Sequence, residues 1–248
     1  MNRRQFLVNS MYSTLALTFA ACGKKPANEA HTMHTPNATA AASNGFDMSR
    51  LRSGEPLRTP AILSMSDAVL NIQPTQHSWL RDGRATDIWA YQSPTGGTML
   101  DVKVGEQVRI TINNHLPEST TVHWHGIDVP ADQDGHPHHP IEPKQSRVYE
   151  FTPPDAGTYW YHPHPHGRTA MQVARGLAAP MIVRDPNDPI AQLGIPEQVL
   201  MFTTLQLDAN AQIALQTMDE QMNGREGNVV LVNGQYQPIW TVAPNSMH

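Results

Sequence analysis

Two His-x-His units, His123-Trp124-His125 and His162-Pro163-His164, constrain this chain more than any other feature of its sequence. On a strand, residues i and i+2 point to the same face. Each unit therefore sends two imidazoles into one space and turns Trp124 or Pro163 away from it. Nine of the 13 histidines lie between His115 and His166. Four neutral imidazoles gathered in one small domain cost repulsion and desolvation unless a metal ion compensates.

The surrounding sequence reads as an all-β domain over residues 61–184. Leu100, Val102 and Val104 alternate with polar residues, as do Val108, Ile110 and Ile112 after a Gly105-Glu106 turn. Period-two alternation marks strands with one buried face, and the short connection predicts a hairpin. Further short runs fall at Thr121–Ile127, Arg147–Phe151, Gly157–His162 and Pro180–Val183, with one brief helix over Thr169–Leu177. Many short strands with Gly and Pro turns predict an antiparallel sandwich. Residues 185–196 read as a linker, and residues 197–248 as the start of a second domain with strands at Gln198–Leu207 and Asn228–Val232, then an Asn233-Gly234 turn. Two or three strands cannot close a sandwich of their own, because their apolar faces lack an opposing sheet.

Residues 1–22 read as an export signal. Arg3 and Arg4 precede Phe6 and Leu7, and a moderately apolar stretch from Met11 to Ala21 ends in small residues. The paired arginines resemble a twin-arginine signal, with a Sec signal as the alternative. Cys22 closes Phe19-Ala-Ala-Cys22-Gly23, which resembles a lipobox with Phe in place of the usual Leu; lipid anchoring at Cys22 stands against simple cleavage near Ala21. Either route predicts a periplasmic or cell-envelope protein. Residues 23–60 are poor in large apolar side chains and read as a flexible tether. The tether carries His31, Met33 and His34, read as solvated side chains rather than a copper-scavenging group.

A net charge of −5 with no long run of either sign gives phosphate backbones no basic surface, so nucleic acid is excluded as a partner. Cys22 is the sole cysteine, which rules out an intrachain disulfide, a Cys-rich zinc site and an iron–sulfur cluster. Imidazole suits copper, zinc, iron and nickel alike, so residue type alone does not choose the metal.

Context does choose. Thr120-Thr-Val-His123-Trp-His125-Gly126, then Asp134-Gly135-His-Pro137, then Gly157-Thr-Tyr-Trp160-Tyr-His162-Pro-His164-Pro-His166-Gly167 closely resemble the first cupredoxin domain of bacterial multicopper oxidases, the group of laccases and periplasmic cuprous oxidases. The resemblance continues through Gln172–Ala178 and Pro180–Val183, and Val232-Asn-Gly-Gln235 resembles the start of that family's second domain. It implies a Greek-key cupredoxin sandwich followed by an incomplete second one. It further implies that His123 binds a type 2 copper, that His125, His162 and His164 bind type 3 coppers, and that Asp134 is a catalytic carboxylate near the type 2 ion. A turn role for the Asp134-Gly135 pair is the alternative. His166 falls outside the implied ligand set, and His136, His138 and His139 read as exposed loop histidines.

The family's trinuclear site takes four more imidazoles from a final domain, and its type 1 copper takes a Cys thiolate that has no counterpart after Cys22. The implied protein is thus the amino-terminal portion of an oxidase. Its partners would be dioxygen, a small reducing substrate and a chain carrying the carboxy-terminal cupredoxin domain; alone it would be inactive. The competing reading is a non-catalytic periplasmic copper-binding or copper-tolerance protein. A metal-free relative ranks last because all four ligand positions are filled. A copper nitrite reductase would need the missing Cys, and a hydrolytic zinc enzyme a positioned Glu base.

Export is testable directly. The Arg3→Lys, Arg4→Lys double variant should accumulate as cytoplasmic precursor in cell fractionation, and normal periplasmic accumulation would assign the protein to Sec.

Overall fold

Alternating burial along single strands builds this molecule. The computed structural model describes residues 45–63, 67–93 and 97–244. The signal peptide, Cys22 and the His31, Met33 and His34 group lie outside those residues. In order, the strands are β1 (Ala61–Leu63), β2 (Asp67–His77), β3 (Thr86–Tyr91), β4 (Thr98–Lys103), β5 (Val108–Asn114), β6 (His123–His125), β7 (Ser146–Phe151) and β8 (Gly157–His162). A one-turn helix α1 (Thr169–Ala174) leads to β9 (Ala179–Arg184), β10 (Phe202–Leu205), α2 (Met218–Asn223), β11 (Val229–Val232) and β12 (Gln235–Tyr236).

Ala68, Leu70 and Ile72 of β2 and Val108, Ile110 and Ile112 of β5 alternate with exposed or half-exposed neighbours, as a strand with one covered face requires. They face a second sheet across a shared core. One sheet runs β3-β2-β5-β7 and the other β1-β4-β9-β8-β6. Between them Trp124, Tyr149, Tyr161, Leu100 and Met181 join the β2 and β5 residues in one buried cluster. The architecture is the expected all-β, cupredoxin-like sandwich.

Two expectations about pairing are overturned. The predicted hairpin does not form: β4 pairs with β1 and β9, whereas β5 pairs with β2 and β7 in the opposite sheet. Val104 N–H donates to Arg184 O at 2.9 Å, so the chain stays with β9 until the turn and then crosses the core. Val102 and Val108 both reach the same core from opposite sides. Alternation reports that one face is covered and is silent about which strand lies alongside. Nor is the sandwich purely antiparallel, since β1–β4, β4–β9 and β2–β5 are parallel.

The strands after residue 197 find cover in an unanticipated way. β10, β11 and β12 form a three-stranded antiparallel sheet, and its Leu205, Val229 and Leu231 pack with Trp79, Leu80 and Ile88 from the first sandwich. Strand β3 makes this possible because Trp89 and Tyr91 enter the sandwich core while Ile88 enters this second cluster. The Asn233-Gly234 turn between β11 and β12 has positive φ at both residues, 49° and 74°, as a tight hairpin demands. Trp79 Nε1–H donates to Gly234 O at 2.7 Å, tying the turn to the sandwich.

The described part of the expected tether, residues 45–60, is packed rather than loose. Phe46 and Leu51 are buried in the same second cluster. Arg52 N–H donates to Trp79 O at 2.7 Å, and Leu57 N–H to Ile239 O at 2.9 Å, so this segment straps the later sheet to the sandwich. Two apolar anchors suffice where composition averaged over the whole stretch points to solvent. Leu51→Ala should therefore cost about 2–5 kcal/mol in denaturant unfolding, whereas a tether residue would tolerate the change without effect.

Candidate metal centre

The site begins with the register of β6 on β8. His123 lies opposite His162, Trp124 opposite Tyr161, and His125 opposite Trp160. Trp124 and Tyr161 are fully buried on the core side, so the alternate positions carry the imidazoles outward onto the other face. Nitrogens of His123, His125 and His162 fall within 4.8 Å of one another.

Each ring is held. His123 Nδ1 lies 3.0 Å from both the carboxylate Oδ1 and the carbonyl O of Asp134, so Nδ1–H donates there and Nε2 keeps its lone pair. His162 Nδ1–H donates to Pro163 O at 2.8 Å, which fixes the same tautomer. Trp160 stacks on His125 at 4.7 Å and on His162 at 4.3 Å, a slab bracing both rings. Burial pushes the His162 pKa down to about 4, against a partial rise from the Pro163 bond, with His123, His125 and His164 adding to the fall. Protons therefore compete for its lone pair only in distinctly acid solution.

The fourth histidine arrives differently from the expectation. Strand β8 ends at His162, and Pro163 and Pro165 carry the chain away, so His164 shares no strand face with it. Instead His164 N–H donates to Thr121 Oγ1 at 2.9 Å, and its ring stands 5.4 Å from His123 and 6.1 Å from His162. The structure thus joins three of the implied ligands tightly and places His164 beside them, exposed. Thr121 and Trp160 are the supporting residues the motif reading passed over. Trp160 was visible as the residue two before His162 on one strand; Thr121 stood in the motif before His123, with nothing local to show that it meets His164.

Asp134 reaches His123 because of its neighbour. Gly135 has φ +67°, and a Cβ there would stand 2.0 Å from Val122 O and 2.8 Å from His123 N. Only glycine lets the loop lie against the β6 backbone. Val122 N–H donates to Tyr149 Oη at 3.2 Å, and Trp124 Nε1–H to Gln133 O at 3.0 Å, locking strand and loop together. Behind them Gln172 accepts from Thr120 Oγ1 at 2.8 Å and donates to Ser119 O at 2.9 Å.

A transition-metal ion fits these residues. His125 Nδ1 and His162 Nε2 stand 3.2 Å apart, and two nitrogens bound to one ion at about 2.0 Å are separated by about 3 Å. His136, His138, His139 and His166 are exposed outside this group. A cavity of about 430 Å³ lies elsewhere, between α1 and the later sheet, and none of the four histidines lines it.

Comparison with known proteins places this geometry. Residues 73–188 match the family model described as multicopper oxidase. A multicopper oxidase of Staphylococcus aureus is 32% identical over 162 residues, covering 64% of this chain and 36% of its own length. One from Mycobacterium tuberculosis is 32% identical over 195 residues, covering 76% of this chain and 33% of its own. Copper resistance protein A of Escherichia coli is 31% identical over 148 residues, or 58% of this chain and 24% of its own. Among solved structures, the multicopper oxidase of Campylobacter jejuni, a metallo-oxidase, superposes with a TM-score of 0.72 at 36% identity, over 80% of this chain and 43% of that one. The chain thus spans about a third of the length of these S. aureus and M. tuberculosis relatives.

Gly135→Ala should lower Cu(II) affinity at least about tenfold by equilibrium dialysis, since it displaces Asp134 or the His123 backbone. Gly83→Ala is the control: it carries a positive φ of +79° in open space, and copper binding should not change.

Proposed function

The chain belongs to the multicopper oxidase family, and from that membership we propose that it is the amino-terminal portion of an oxidase that passes single electrons from phenols, aromatic amines or Cu(I) to dioxygen. Residues 197–248 are, in this reading, the start of a second cupredoxin domain. The observation that carries the reading is the convergence of His123, His125 and His162 within 4.8 Å, with His164 alongside. They supply half of the ligands of a trinuclear copper site, and a carboxy-terminal cupredoxin domain supplies the rest. The reading places the protein in the periplasm or cell envelope, with a lipid anchor at Cys22.

Copper held by His123, His125, His162 and His164 would supply one-electron chemistry. The protein's own residues provide orientation and protons. Asp134 accepts from His123 Nδ1–H through Oδ1, which fixes the His123 tautomer, and its half-exposed carboxylate stands beside the site as the proton-transfer group of this reading. Trp160 stacks on His125 and His162 and so restrains the rotation of both rings. The four histidines hold the metal, and Thr121 sets the backbone from which His164 extends.

A second reading, a copper-binding or copper-tolerance protein without turnover, draws on the likeness to the E. coli copper resistance protein. Oxygen consumption separates the two. The purified chain alone should bind Cu(II), show no intense blue thiolate absorption and turn over no phenol. Added carboxy-terminal domain should start oxygen uptake, and Asp134→Asn should then slow it about hundredfold or more with copper content near normal. Copper bound without uptake in the mixture supports the second reading. Turnover by this chain alone defeats the division into half-sites.

A further inference from the structure

His164 owes its place to a loop rather than to a strand, and that loop is tied down at both ends. Residues 163–168 leave β8 at His162 and enter α1 at Thr169. Pro163 and Pro165 are buried along the way. Pro165 O accepts from Arg168 N–H at 3.3 Å and from Thr169 Oγ1–H at 2.9 Å. Beyond that turn the chain meets residues 118–121, the segment leading into His123. Arg168 closes a fork on Glu118 there, with Nε–H donating to Oε1 at 3.2 Å and Nη2–H to Oε2.

One turn further along α1, Gln172 is fully buried and directs both ends of its amide at the same segment. Nε2–H donates to Glu118 Oε1 and to Ser119 O, each at 2.9 Å, and Oε1 accepts from Thr120 Oγ1 at 2.8 Å. The segment is itself fixed. Asn114 Nδ2–H donates to Glu118 O at 3.0 Å and to Ile141 O at 2.8 Å, and Thr120 pairs with Ile141. The next residue, Thr121, accepts from His164 N–H at 2.9 Å. From this chain of contacts we propose that Gln172, together with the Glu118–Arg168 pair, positions His164. It holds α1 and the preceding loop against residues 118–121, so that Thr121 meets the His164 backbone and the imidazole stands beside His123 and His162. The inference rests on the reading of His164 as a copper ligand.

Arg168 is exposed, and an exposed ion pair alone would hold a loop weakly. The buried amide changes that balance, because Glu118 Oε1 is shared between Arg168 and Gln172. Burial raises the Glu118 carboxyl, but the Arg168 and Gln172 bonds outweigh it and hold the group below the usual carboxylate range. Moving α1 would leave the Gln172 amide and the Thr120 hydroxyl buried without partners, which makes its seat specific. That seat fixes the far end of the loop. His123 and His162 are oriented through bonds at their ring nitrogens, whereas His164 is held at its backbone N–H, so its ring follows the loop.

Equilibrium dialysis of the full chain with Cu(II), and broadening of histidine ring resonances in NMR at sub-stoichiometric Cu(II), test the assignment. His164→Ala gives the affinity lost when the imidazole itself is removed. Glu118→Ala, which deletes the shared partner of Gln172 and Arg168, should lower affinity about tenfold, and no further than His164→Ala does. It should also reduce the broadening of His164 relative to that of His162. Gln172→Met should act alike; where either variant does not fold, Arg168→Ala, at an exposed side chain, should show the same selective effect. Glu118→Gln keeps an acceptor for both partners and should recover most of the binding. Arg109→Ala breaks a comparable exposed pair with Glu150 in the opposite sheet and should change nothing. Loss of affinity in His164→Ala with none in the folded Glu118 or Arg168 variant overturns the positioning role and leaves the ligand reading intact. No loss in His164→Ala defeats the ligand reading, and the positioning role falls with it. Equal loss of broadening at His123, His125, His162 and His164 also overturns the assignment, since it reports a general loosening of the fold.

Discussion

The placement of Trp124 opposite Tyr161 is the contact on which the metal centre depends. Both side chains are fully buried, and they lie on the core face of a strand pair whose other face carries His123, His125 and His162. Side chains alternate with a period of two, so a slip of one residue would bring indole to the surface and drive imidazoles into the hydrocarbon core. Trp124 also packs against Tyr149 and Phe151 of the opposite sheet. The sandwich core thus sets which histidines meet, before any metal contributes.

Around that register the loops supply precision. The loop carrying Asp134 is held against β6 by the close approach of Gly135 and by the Trp124 indole bond to Gln133 O. The loop after β8 is held by Thr121. Two loops fastened to one short strand bring Asp134 and His164 to the cluster. Histidines distant in the chain become neighbours because β6 and β8 are neighbours.

A second constraint governs the later strands. A three-stranded sheet with apolar faces needs cover, and here one face meets Trp79, Leu80, Ile88, Phe46 and Leu51. Its other side keeps Phe202 and Val230 exposed at 64% and 53%. Strand β3, buried on both faces, is the shared wall that lets one short segment serve two cores.

The sequence by itself determined the strand character of most of the sandwich, the one-sided burial of β5, the Asn233-Gly234 turn and the two His-x-His units, since these rest on periodicity and local backbone preference. Its motifs also carried the family. Pairing was beyond it: alternation around Gly105 shows a buried face on each side and cannot tell a hairpin from a crossing between sheets. Composition likewise hid Phe46 and Leu51, whose burial depends on partners in other segments, among them Leu80, Leu205 and Leu231. Only the tertiary structure decided that Asp134 meets His123 and that His164 leaves the strand before joining the cluster. Each is a contact between segments remote in sequence, made by packing and loop geometry rather than by any local preference of the residues involved.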